Sequence, residues 1–150
     1  GPAAFDMAGN LFYAPGYGDL SIYRWSAIEI AAAVLGNGSP ALDASGHRWL
    51  DYSSSFSTAG GAGSLLLDAD GNVIVTVTDF SNPSSLVKFN ADGSGSFETL
   101  LTSTDRLGEL RLNGGNLYLS ETNKIITIIP EPSTLLVALS GFGLLLRRRR

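Results

Sequence analysis

The 150-residue chain has no cysteine, one histidine and one methionine. Disulfides and thiolate metal centres are therefore excluded, and so is any site built on two histidines. A histidine-based catalytic dyad has one candidate, His47. Missing cysteine says little about compartment, because an exported protein need not carry disulfides. Charge is also scarce: 16% of residues are Asp, Glu, Lys or Arg, against about 25% in ordinary domains. Glycine is abundant, at 18 residues. Little charge and much glycine predict short strands joined by turns rather than long surface helices.

The scarce charge is unevenly placed. Four of the ten basic residues are the last four, Arg147, Arg148, Arg149 and Arg150. Residues 1–146 then hold 6 basic against 14 acidic residues, a net charge of −8. An acidic body excludes a nucleic-acid partner, since phosphate binding needs a basic face.

Residues 130–150 read Pro130-Glu131-Pro132, then Ser133-Thr134, then an apolar run, then the four arginines. Thr134 to Leu146 carries no charge in 13 residues. At about 1.5 Å per residue it spans roughly 20 Å as a helix, short of the ~30 Å hydrocarbon core. Length alone also fits a core helix followed by a solvated arginine tail. Three features favour the membrane. The run is apolar all round. Its arginines can reach the headgroups and extend the span. Pro132 stands where a helix tolerates a missing N–H. The expected anchor is Leu135, Leu136, Val137, Leu139, Phe142, Leu144, Leu145 and Leu146. The arginines act as the cytoplasmic stop, which places residues 1–129 outside.

In this order and at this end of the chain, the three parts resemble a PEP-CTERM sorting signal. The resemblance covers about 21 residues. It implies a protein exported by a Gram-negative bacterium and held transiently in the inner membrane. An exosortase then recognises Pro130, Glu131 and Pro132 and processes the chain for the cell surface or exopolysaccharide matrix. These three residues are recognition residues for another enzyme, not catalytic residues of this chain. The prolines keep the segment extended, as a processing site should be.

The chain begins Gly1-Pro2, with no charged and apolar leader before Phe5. An exported protein needs one, so a mature form or an N-terminally truncated fragment is expected.

The body contains internal repeats. Phe5-Asp6-Met7-Ala8-Gly9-Asn10-Leu11 is matched by Leu67-Asp68-Ala69-Asp70-Gly71-Asn72-Val73. Weaker copies run from Leu42 to Asp51 and from Leu112 to Ser120, the last with a shorter turn. Each reads as a strand, an Asp-x-x-Gly-Asn turn and a second strand, because Gly and Asn tolerate positive φ. In residues 73–78, alternation puts Val73, Val75 and Val77 on one face. Third strands are expected at Ser21–Trp25, Ser85–Asn90 and Lys124–Ile129, and a fourth at residues 97–101. Residues 27–35 fit a helix or an outer strand.

Three or four short strands per unit predict an all-β fold, a partial β-propeller of about three blade-like units. The units resemble NHL-type repeats of six-bladed propellers, a resemblance covering residues 1–129. It implies further blades beyond those present. The repeat glycines Gly9, Gly46, Gly71 and Gly115 are spaced 37, 25 and 44, against about 40–50 for a blade. The short spacing makes residues 37–60 either a degenerate blade or an insertion within one. A β-sandwich is the alternative fold. The expected organisation is thus an ectodomain at 1–129 and a sorting and anchor segment at 130–150, ending in a short transmembrane helix.

Few residues suggest chemistry. Asp68-x-Asp70-x-Asn72 spaces oxygens like the start of a calcium loop, and so does Asn90-x-Asp92-x-Ser94. Their twelfth positions, Asp79 and Leu101, are not the Glu such loops use, so both stretches read as turns ahead of metal loops. His47 is a general base or a solvated turn residue. No serine elbow or phosphate loop occurs. Tyr13, Tyr17, Tyr23, Trp25, Trp49 and Tyr52 either stack on sugars of an exopolysaccharide or pack between strands. No catalytic residue, metal ligand or cofactor is assigned. The expected function is a non-catalytic surface or matrix protein whose partners are an exosortase, the inner membrane and exopolysaccharide. The alternative is a calcium-dependent propeller enzyme, resembling gluconolactonases. Acidic innermost strands with a metal bound would favour the enzyme, and small or apolar ones a structural or binding module.

Overall fold

The computed structural model describes residues 1–36, 42–56, 60–78 and 83–129. They form three antiparallel sheets and one short helix. The first sheet holds β1 (Ala3–Phe5), β2 (Leu11–Tyr13), β3 (Ser21–Trp25) and β4 (Arg48–Asp51), with helix α1 (Ala27–Leu35) between its last two strands. The second holds β5 (Gly61–Leu67), β6 (Val73–Thr78), β7 (Ser84–Phe89) and β8 (Phe97–Ser103). The third holds β9 (Leu107–Asn113), β10 (Asn116–Glu121) and β11 (Lys124–Ile128). In every sheet, strands lie side by side in chain order. Short turns return the chain beside the strand it has just left in most of these pairs, whereas β3 and β4 pair across the connection that holds α1.

The Asp-x-x-Gly-Asn turn is built the same way twice. The N–H groups of Ala8 and Asn10 donate to Asp6 Oδ1 at 2.9 and 2.8 Å, and Asn10 Nδ2 donates to Oδ2 at 2.7 Å. The N–H groups of Asp70 and Asn72 donate to Asp68 Oδ1 at 3.0 and 2.9 Å, with Asn72 Nδ2 on Oδ2 at 2.9 Å. Gly9 and Gly71 supply the left-handed backbone, at φ 82° and 81°. The asparagines then reach outward. Asn10 Oδ1 accepts from the N–H of Ala27, and Asn72 Oδ1 from that of Ala91. Each ties its turn to the residues just past the third strand of its own sheet.

The Leu42–Asp51 copy behaves differently. Asp43 accepts from the N–H of Ser45 at 2.9 Å, and β4 follows the turn. That strand, β4, pairs with β3 and completes the first sheet. Of residues 37–60, the described strand Arg48–Asp51 thus belongs to the first sheet rather than to a sheet of its own. The insertion lies between β3 and β4, and α1 resolves the ambiguity of residues 27–35. Ser26 caps the helix in a capping box with Glu29. With Gly46 removed from the series, the unit glycines Gly9, Gly71 and Gly115 lie 62 and 44 residues apart.

The second sheet is the middle layer. All six residues of β6 are buried. Val73, Val75 and Val77 meet Phe12, Ala14, Ile22 and Leu50 of the first sheet's region, as the alternation predicted. Ile74 on the opposite face joins Leu86, Leu110, Leu117 and Leu119 toward the third sheet. Two cores on either side of one sheet differ from the single core between two sheets that defines a sandwich. The first strands of successive sheets are neighbours: β1 lies beside β5, and β5 beside β9. The loop between β2 and β3 also approaches β5 closely, which demands glycine. A Cβ at Gly61 would stand 2.0 Å from the carbonyl oxygen of Gly16. Among the described residues no helix is long and apolar enough to cross a membrane.

Candidate functional site

The sorting residues Pro130, Glu131 and Pro132, the anchor from Leu135 to Leu146, and Arg147 to Arg150 all lie outside the described residues. Within those residues, the sites weighed from sequence fall at three places.

The first is the pair of acidic turns. Both oxygens of Asp68 accept hydrogen bonds from within its own turn. The same holds for Asp6, where burial is outweighed by the bonds from Asn10 and Ala8 and the charge of Arg24, leaving its pKa lowered. Asp92 accepts from the N–H of Ser94 at 2.9 Å, which also lowers its pKa. These carboxylates do turn-closing work. Among the described residues no group of three or more His, Asp and Glu stands close enough to hold a metal.

The second place is around His47. Its ring stacks on Trp25 with centroids 5.6 Å apart and planes 21° apart. Nε2 is 2.8 Å from Glu29 Oε1, and Nδ1 is 2.9 Å from the carbonyl oxygen of Ser45. Both ring nitrogens face acceptors, an arrangement that favours the doubly protonated ring. Those bonds, led by Glu29, raise the His47 pKa. Glu29 is lowered to about 2, first by Ser26 and then by His47. A general base needs a free, unprotonated nitrogen, and this geometry works against one. The cluster instead pins the start of α1 to the turn before β4. Trp25 Nε1–H completes the pin by donating to the carbonyl of Asp43 at 3.0 Å. Sequence reasoning named His47 but missed Glu29, its partner 18 positions away. The Ser26-x-x-Glu29 capping pattern was a readable signal for the helix, though not for the pairing.

The third place is the aromatic set. Trp25 and Tyr52 are buried. Trp49 packs edge-on against Phe12 at 5.2 Å. Burial and the charge of Asp19 push the Tyr52 phenol up. Tyr23 is also raised, chiefly by donating its hydroxyl to Asp19 Oδ2 at 2.9 Å. Packing therefore occupies most of the candidates for sugar stacking. Tyr17 is the exposed one, and its hydroxyl accepts from Arg106 Nη2–H at 3.2 Å. Those two rim a cavity of about 260 Å³ whose floor is Gly61, Ala62, Gly63 and Gly108. Sequence reading passed over it because its walls come from residues 89 positions apart. Compared with known proteins, the chain matches no family model and no curated protein.

Proposed function

We propose that the chain is an exported, non-catalytic cell-surface or matrix protein, delivered through its C-terminal segment by an exosortase. The observation that carries this reading is the order of the tail: Pro130-Glu131-Pro132, an uncharged apolar run, and Arg147 to Arg150. The arginine cluster supports it, since Arg beside an apolar segment favours the cytoplasmic side. The body is read as part of a β-propeller. In support, the meandering sheets repeat one turn, and their first strands lie next to one another. The small residues Gly61, Ala62, Gly63 and Gly108 on those strands favour a structural or binding module over an enzyme with an acidic centre. Exopolysaccharide is the proposed matrix partner.

Replacing Pro130-Glu131-Pro132 by alanines is expected to leave the chain unprocessed in the membrane fraction of an exosortase-positive host. Deleting 134–150 is expected to release it. Mass spectrometry and fractionation read both; an unaltered mature mass with an unaltered location would overturn the reading.

A further inference from the structure

The third sheet carries the repeat turn in a shortened form. Val73 and Leu117 each follow a turn asparagine, Asn72 and Asn116, and they pair with Phe89 and Ile128 on the next strand. The turns therefore correspond. Between β9 and β10, however, only Gly114 and Gly115 remain, closed by the pair of Asn113 and Asn116. No aspartate stands in this turn to gather its N–H groups. Both glycines have positive φ, 58° and 82°, as a two-residue hairpin requires. Asn113, Gly114 and Gly115 are all exposed.

Shortening sets an asparagine directly before a glycine. The carbonyl carbon of an Asn or Asp side chain can be attacked by the backbone nitrogen of the next residue, and glycine has no side chain to obstruct the approach. The chain has such steps at Asn37-Gly38, Asp70-Gly71, Asp92-Gly93 and Asn113-Gly114. The first lies outside the described residues. In the next two, the turn occupies the attacking nitrogen. Gly71 N–H donates to the carbonyl of Asp68 at 3.1 Å, and Gly93 N–H to that of Asn90 at 3.2 Å. The N–H of Ser94 also holds the Asp92 carboxylate ionised, and an ionised carboxylate resists attack. Gly114 differs. Among the described residues nothing accepts its N–H, because the first residue of such a turn directs that group outward. A Cβ built on Gly114 would meet nothing within 4 Å, so the attacked carboxamide has room to approach.

We propose that Asn113 is a site of spontaneous covalent modification, deamidating through a succinimide closed with Gly114. The Gly114 nitrogen attacks Cγ of Asn113. The N–Cγ bond forms, the Cγ–Nδ2 bond breaks, and Nδ2 departs as ammonia with the proton that the Gly114 nitrogen gives up. Water then opens the ring. Addition at Cγ leaves aspartate, and addition at the backbone carbonyl leaves isoaspartate. Nothing is oxidised or reduced. Either product adds a negative charge to an acidic body. Isoaspartate also inserts a methylene into the main chain at the residue that pairs with Asn116, which breaks the closing pair of the β9–β10 hairpin. This inference rests on the described turns and is independent of the sorting reading.

The full chain, in mild detergent and mildly alkaline heavy-oxygen water, is aged folded and aged in guanidinium. Peptide mapping by mass spectrometry follows label uptake and isoaspartate at residues 70, 92 and 113. The readout is the folded rate divided by the unfolded rate at each step, which cancels the intrinsic difference between asparagine and aspartate. That ratio is expected to be close to unity at Asn113 and lower by several-fold at Asp70 and Asp92. Isoaspartate should exceed aspartate at residue 113, the mark of the succinimide. Asn113→Gln, which would have to close a larger ring, should lose the product there with an unchanged circular dichroism spectrum. A ratio at Asn113 as low as at Asp70 and Asp92, or aspartate formed without isoaspartate, overturns the proposal.

Discussion

The two cores on either side of the second sheet are built from equivalent positions but different chemistry. Toward the first sheet aliphatic residues are joined by rings: Phe12 on Trp49, Tyr52 on Phe89, and Phe56 and Phe89 on Phe97. Arg24 lies over the Phe12 ring at 5.5 Å. Toward the third sheet the contacts are aliphatic and partly polar. Thr76 and Thr78 donate their hydroxyls to the carbonyls of Gly108 and Leu107, and Ser64 Oγ accepts from the N–H of Leu110. The repeat thus specifies the turn and the strand path and leaves the side chains between sheets free to vary. Rings join the aliphatic residues of the first interface, whereas the second is aliphatic and leaves a groove beside Ile128.

The largest effect that tests this contrast is at Phe89. Phe89→Ala removes a fully buried ring and is expected to cost about 3–5 kcal/mol. Ile128→Ala, at the equivalent but half-buried position, is expected to cost less than half of that. Urea denaturation of both variants reads the difference, and equal losses would mean the two cores are equally packed.

A middle-sized effect tests whether the repeated turn is equivalent in both sheets. Asp6→Ala and Asp68→Ala each remove an acceptor of three hydrogen bonds and are expected to cost about 1–2 kcal/mol apiece. Amide exchange at Asn10 and Asn72 should accelerate in the matching variant only. Acceleration at both turns from one substitution would show that the turns are coupled.

The smallest effect belongs to the insertion, which the second sheet lacks. His47 is raised above its ordinary 6.5, so the stability it gives is fully present below about pH 6.5 and is lost as pH rises through its folded pKa. Glu29 is lowered from 4.5 to about 2, so its contribution is present above about pH 4.5 and is lost as pH falls toward 2. The pin should be firmest between those limits. Trp25, stacked on His47, reports it: its fluorescence should titrate at both ends of the window, and His47→Gln should remove the upper transition. A pH-independent Trp25 signal would show that the pair does not hold the insertion.

Much of the fold was legible locally. The turns at Asp6 and Asp68 combine an acceptor, a glycine and an asparagine within five residues, so their geometry needs nothing from elsewhere. The strands from Ser21, near Ser85 and at Phe97 followed from composition and alternation. The place of β4 stays open in the sequence, between a degenerate unit and an insertion, because its pairing with β3 spans the connection that holds α1. Only long-range packing tells β4 that it belongs beside β3 rather than in a new unit. The same reason hid Glu29 behind His47, and the partnership of Tyr17 with Arg106.

By itself, then, the sequence determined the all-β character, the turn positions, the acidic body and the ordered parts of the tail. Each is a property of residues near one another in the chain. Tertiary structure decided which strands share a sheet, that the middle sheet is covered on both faces, and that most aromatics serve packing. Those depend on which distant surfaces meet, and burial of apolar area rewards the final arrangement without marking it in any local pattern.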